Sequence, residues 1–159
     1  MVSIIVHFLL GLGCIGWIIS SNRTIFAKPA NGPWLSPLEF VYYAVGIASI
    51  VLGYYFNIKF VGEAHGQGNL VSGPASYPSF LKGQFASSAA GSGISDYLIA
   101  NVILLPLFTI VDGLRRGIRR PWLYFLCSFF TSFSFPLAFY FATIERQHRH
   151  AVAREAIDA

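Results

Sequence analysis

Glu39, Asp112 and His7 are ionisable side chains, standing at the border of or inside long apolar sequence, whose chemistry could be used there. A carboxylic acid in such a place can protonate an alkene if it faces an enclosed apolar space, and Glu39 and Asp112 are the candidate acids. An imidazole inside an apolar helix can ligate a haem or pigment, and His7 is the weak candidate for a metal. Each has a plainer use, and the plainer use is expected. Glu39 follows Pro37 at the start of an apolar run, where a carboxylate favours the positive end of a helix dipole. Asp112 lies just before Arg115 and Arg116, which predicts a local ion pair. His7 is too deep to be charged cheaply, so a neutral ring hydrogen-bonded across helices is expected. The other titratable groups offer less. Glu63 and His65 sit among Gly62, Gly66 and Gly68, which predicts a mobile loop, and His148 and His150 lie among arginines that disfavour a metal. Cys14 and Cys127 both fall in apolar sequence and read as small packing residues. No phosphate-binding glycine loop, nucleophile elbow or HExxH motif is present, and no cofactor is expected.

The elements that must carry these residues are apolar stretches at about 2–20, 38–61, 96–112 and 121–144. At ~1.5 Å rise per residue, all but the third are comfortably long enough to cross a hydrocarbon core of about 30 Å as a helix. The chain is 55% hydrophobic and 11% charged, with a mean hydropathy of +0.58. Ordinary soluble domains carry roughly 25% charged residues. The expected fold is an all-α membrane protein, one domain comprising a bundle of four transmembrane helices. A long Gly/Ser-rich loop joins helices two and three, with a short interfacial helix near 78–85, and a polar tail covers 145–159. Ser95 or Asp96 is expected to cap the third helix, and Pro106 and Pro136 to bend or break theirs. The first stretch reads as a retained span: it is long, no basic residue precedes it, and Trp17 stands where a cleavage site needs small residues.

Four spans place the 114–120 loop and the basic tail on opposite sides. The loop holds Arg115, Arg116, Arg119 and Arg120 close together, and this concentration is expected to hold it in the cytoplasm of a bacterial plasma membrane. Basic residues just beyond span ends suit lipid phosphates, so these arginines are candidate lipid contacts and nucleic acid is not an expected partner. Along the second span, Tyr42, Gly46, Ser49 and Gly53 share a face, as Ser128 and Thr131 do on the fourth and His7, Gly11 and Cys14 on the first. Small residues at that period let helix backbones approach. The same faces are candidates to line a slot for a lipid-like ligand.

The second half carries a distinctive pattern: Asp96-Tyr97-Leu98-Ile99, then Ile110 to Gly117 with Asp112-Gly113-Leu114-Arg115-Arg116, then Arg119-Arg120-Pro121-Trp122, closing at Glu145-Arg146. From about Leu38 to Arg149 the chain resembles the family catalogued as domain of unknown function 2834. That resemblance implies a small bacterial membrane protein of helical, polytopic topology with about three spans, and brings no established activity. Separately, Pro37-Leu38-Glu39 is similar to the PxE start of small membrane-embedded carotenoid and terpene cyclases. Three function classes follow. The favoured one is a non-enzymatic helical subunit or accessory protein packing against membrane lipids or other membrane-protein subunits. The alternative is an isoprenoid cyclase or isomerase using Glu39 or Asp112 as its acid. A carrier or channel is least favoured, since no acidic relay lies mid-span.

Overall fold

The computed structural model describes residues 2–69 and 71–158, and among them every regular element is helical. Helix α1 (Val2–Ser21) leads into a single turn, α2 (Arg23–Phe26). Helix α3 (Pro37–Glu63) has Ser36 as its N-cap and Pro37 in its first turn. At its 27 residues, α3 is about 40 Å long at 1.5 Å per residue. A short α4 (Tyr77–Gly83) falls where an interfacial helix is expected. Next comes one long helix in three parts: α5 (Ser88–Leu98), a π-helical turn (Ile99–Leu104) and α6 (Leu105–Arg115). Helices α7 (Trp122–Ser128) and α8 (Ser134–Asp158) complete the chain. Among the described residues, three segments are long and apolar enough to cross a membrane: Ile4–Ser21, Pro37–Glu63 and Ser88–Arg115.

The fourth expected span is not a continuous helix. The chain breaks over residues 129–133 and folds back, so α7 and α8 run antiparallel as a hairpin that enters and leaves at one end of the bundle. Tyr124 on α7 shares a 2.7 Å hydrogen bond with Thr143 on α8, although 19 residues separate them. Pro136 explains part of the break, because it has no N–H to donate and its ring clashes with the carbonyl four residues back. It sits instead in the first turn of α8, where neither matters. Side chains meet the hydrogen-bonding needs of the tip. Thr131 Oγ1 donates to the Cys127 carbonyl at 2.8 Å, and Ser132 Oγ accepts from the Phe135 N–H at 3.3 Å. Tyr54 of α3 donates to the Phe130 carbonyl at 2.8 Å. Irregular backbone away from water needs such partners.

This hairpin is the core. Leu123, Tyr124, Cys127, Tyr140, Ala142 and Thr143 have no exposed surface, whereas α1, α3 and α5–α6 turn Leu9, Phe40, Ile47, Val51, Ile103 and Leu107 outward. The small-residue stripes dock on the hairpin. A Cβ on Gly11 would lie 3.0 Å from Thr131, and one on Gly46 would lie 3.1 Å from the Phe135 ring. Ser49 and Ser132 share a hydrogen bond at 2.8 Å, and the Tyr42 and Phe141 rings are 5.7 Å apart. Gly53 also faces Ser132.

The third long helix starts well before Asp96. Ser87 is its N-cap, accepting from the Ala90 N–H at 3.1 Å, so neither Ser95 nor Asp96 caps it. The run Ser88-Ala-Ala-Gly-Ser-Gly93 is poor in bulk but forms helix once its donors are capped. Ser95 bonds back to the Gly91 carbonyl at 2.8 Å, as a mid-helix serine does. The π-helical turn sits directly before Pro106, where the missing N–H disturbs the helical ladder.

Candidate functional site at the basic end

Because the hairpin returns, four pieces of chain meet at one end of the bundle: the end of α1, the start of α3, the 116–120 turn and residues 145–150 of α8. Asn22 clamps the turn, its Nδ2 donating to the Arg119 carbonyl at 3.0 Å while its Oδ1 accepts from the Arg119 N–H at 2.8 Å. Gln147 donates to the Arg116 carbonyl at 3.1 Å. The loop and the tail, expected on opposite sides, are therefore neighbours. Of the 11 Lys and Arg residues, only Lys59 and Lys82 lie toward the other end.

Glu39 is fully buried here. It completes a capping box with Ser36, whose N–H donates to a Glu39 oxygen at 2.6 Å while Ser36 Oγ accepts from the Glu39 N–H at 3.1 Å. Its other partners come from α8. Arg146 Nη1 donates to Oε1 at 3.1 Å, and Arg149 pairs with Oε2. Arg146, itself only 2% exposed, spends its remaining donors on α2 and the irregular chain that follows it. It reaches the carbonyls of Ile25 at 3.2 Å, Ala27 at 3.1 Å, and Phe26 and Trp34 at 3.4 Å. Its guanidinium also lies over the Trp34 ring, 5.7 Å from the centroid. One arginine thus ties α8 to two other elements.

Asp112 pairs with Arg116 at 2.6 Å, one helical turn on, and accepts from the Tyr140 hydroxyl at 2.8 Å. The neighbouring Gly113 admits Pro121 so closely that a Cβ would lie 2.5 Å from the proline's own. Arg120 adopts a left-handed backbone (φ 55°), an unusual state for a non-glycine residue. Its side chain lies 5.3 Å over the Trp17 ring and donates to Ser21 at 3.3 Å. Arg115 is exposed.

Two cavities accompany these clusters. The larger, about 490 Å³, opens at the basic end between the end of α1 and α8, and Arg23, Arg119, His150 and Arg154 line it. The smaller, about 120 Å³, lies under the hairpin tip, lined by His7, Tyr54, Asn57, Phe80 and Thr131. Neither Glu39 nor Asp112 lines either one. Tyr42 and Gly46 pack on α8, Ser49 and Gly53 face Ser132 at the hairpin tip, and Ser128 bonds to the Phe125 carbonyl at 2.7 Å. His7 stands with its ring 6.0 Å from that of Phe130. Among the described residues, no three His, Cys, Asp or Glu side chains come together as a metal would need.

Sequence reasoning missed Arg146 as the hub, along with Asn22 and the buried Asn101. Arg146 closes the distinctive pattern of the second half, which is the available signal. Asn22, just past Ser20-Ser21, reads only as a helix end. Residues 41–146, more than half of the chain, match the family described as Protein of unknown function DUF2834, and the chain belongs to that family. No curated protein and no solved structure matches it.

Proposed function

We propose that this DUF2834 member is a multi-pass membrane protein of three spans wrapped around a re-entrant hairpin, with its basic end in the cytoplasm. It acts as a helical subunit or accessory protein, packing its outer faces against lipid or a larger membrane complex, and carries out no reaction of its own. One observation carries this reading: the interior carboxylates are committed to structure. Glu39 is held by two arginines, Asp112 by Arg116 and Tyr140, and neither lines either of the two cavities described above. The orientation follows from the Lys/Arg bias toward one end. It conflicts with no charged segment, since loop and tail now pull the same way.

In a background lacking Cys14 and Cys127, single cysteines at Ser21, Gly117 and Ala151 should label from the cytoplasmic side only, and one at Ser72 from the outside. Labelling of 117 and 151 from opposite faces would restore the four-span arrangement. For the absence of chemistry, Asp112→Asn is the direct probe. Any cellular phenotype it produces should track the amount of folded protein, because the change removes a structural ion pair worth roughly 1 kcal/mol or less. Loss of function at undiminished abundance would assign chemistry to Asp112 and overturn the accessory reading.

A further inference from the structure

We propose that the large cleft at the basic end is a binding site for a phosphate ester, and that its occupant is the headgroup of an anionic phospholipid. The phosphate chemistry stands on the cleft itself; the lipid source rests on the membrane reading above.

The cleft is unlike the rest of this end in how its charge is balanced. Arg116 has Asp112, and Arg146 and Arg149 share Glu39. Arg23, Arg119 and Arg154, which line the cleft, have no carboxylate partner among the described residues, and no carboxylate lines the cleft with them. Three uncompensated guanidinium groups around one concavity favour an anion, and their forked donors match phosphate oxygens. The wall is also fixed. Both main-chain polar groups of Arg119 are held by Asn22, so the arginine stands at a set position without using its side chain. The hydroxyls of Ser21 and Thr24 also line the cleft.

Two further features point from phosphate to lipid. Gln147 lines the cleft and spends its Nε2 on the Arg116 carbonyl, leaving a buried Oε1 with no partner. That oxygen suits a hydroxyl on the ligand, as a glycerol or sugar headgroup would offer. Trp17, one helical turn before Ser20 and Ser21 on the same face of α1, is 44% exposed. It offers an apolar surface next to the cleft on which an acyl chain can lie. Basic clefts between helices on the cytoplasmic side are where such headgroups bind.

Native mass spectrometry of the full chain in a nonionic detergent tests this, with phosphatidylglycerol, phosphatidylcholine and free glycerol phosphate as separate titrants. One phosphatidylglycerol should be retained about tenfold more tightly than phosphatidylcholine, and Arg119→Gln or Arg154→Gln should each weaken it by about tenfold. Arg115→Gln, at the same end but outside the cleft, should change retention by less than about twofold. Circular dichroism of each variant must match the parent, as expected where only the Arg119 backbone is structural. Equal loss in all three variants, or no preference between the lipids, would mean diffuse surface attraction and overturn the site. If glycerol phosphate binds as well as the lipid with the same arginine dependence, the phosphate site holds and the lipid source is wrong. Because binding is read in detergent, failure of the proposed topology leaves this result interpretable.

Discussion

Arg146→Ala should destabilise the protein by about 3–5 kcal/mol, the usual cost of removing one partner of a buried ion pair. Glu39, which has no exposed surface, would lose its more deeply buried cation and keep Arg149 and the Ser36 N–H. Four main-chain carbonyls between Ile25 and Trp34 would lose a donor at the same time. Glu39→Gln should cost less, because an amide oxygen still completes the capping box and Arg146 keeps its carbonyls. Arg149→Ala should also be milder, since that side chain is 13% exposed and Arg146 remains. The double variant Arg146→Ala with Glu39→Gln should cost less than the sum of the two single changes, with a coupling of about 0.5–3 kcal/mol. Unfolding in mixed detergent followed by circular dichroism gives all four values. A loss below about 1 kcal/mol for Arg146→Ala would show that the cluster is a surface feature rather than the clasp between α8 and the rest.

Legibility of this chain in its sequence divides along a physical line. Local relations were readable. Pro37 and Glu39 announce a helix start, and the structure has it there, with Ser36 completing a full capping box. Asp112 and Arg116, four apart on a helix, make the expected ion pair. The stripe from Tyr42 to Gly53 marks a face that does pack against another helix. Relations between distant segments were not readable. Hydropathy measures only removal from water, and a helix buried in protein scores like one buried in lipid. Residues 121–144 therefore look like a span although they fold as the core. The break was signalled by Thr131-Ser132-Phe133-Ser134-Phe135-Pro136, yet a proline mid-span predicts a kink as readily as a reversal. That one ambiguity propagated. It set the loop and the tail on opposite sides and hid the meeting of Arg146 with Glu39, 107 residues away. The three-part helix shows the reverse error. Its Ala/Gly/Ser start lacks apolar bulk, so composition assigned it to a loop, while Ser87 supplied the cap that makes it helix.

A short bifunctional thiol reagent should join cysteines placed at Ser36 and Glu145, in a background lacking Cys14 and Cys127, in nearly every molecule. Ser36 Oγ and a Glu145 oxygen are 3.4 Å apart, one at the start of α3 and the other on α8 just past the hairpin. A continuous helix over 121–144 would instead carry Glu145 to the far side of the bilayer, about 30 Å from Ser36, and no short reagent would reach. The outcome is thus close to all or nothing. A second pair reads the direction of α8 directly. A Cβ on Gly46 would stand 3.5 Å from that of Ala138, within the range of a disulfide. In a parallel arrangement of α3 and a fourth span, residue 46 would lie level with residues near 130. The offset to 138 would then be about 12 Å at 1.5 Å per residue, too far for a disulfide. Cysteine at 46 is tightly placed against Phe135, so the disulfide yield is compared with that of the less crowded Ser49 and Ser132 pair, whose hydroxyls are 2.8 Å apart. Cross-linking at 36–145 together with either inner pair requires α8 to run antiparallel to α3, with its reversal at Ser132. Absence of the 36–145 product, with intact helicity, would return the fourth apolar stretch to a crossing helix and separate Arg146 from Glu39.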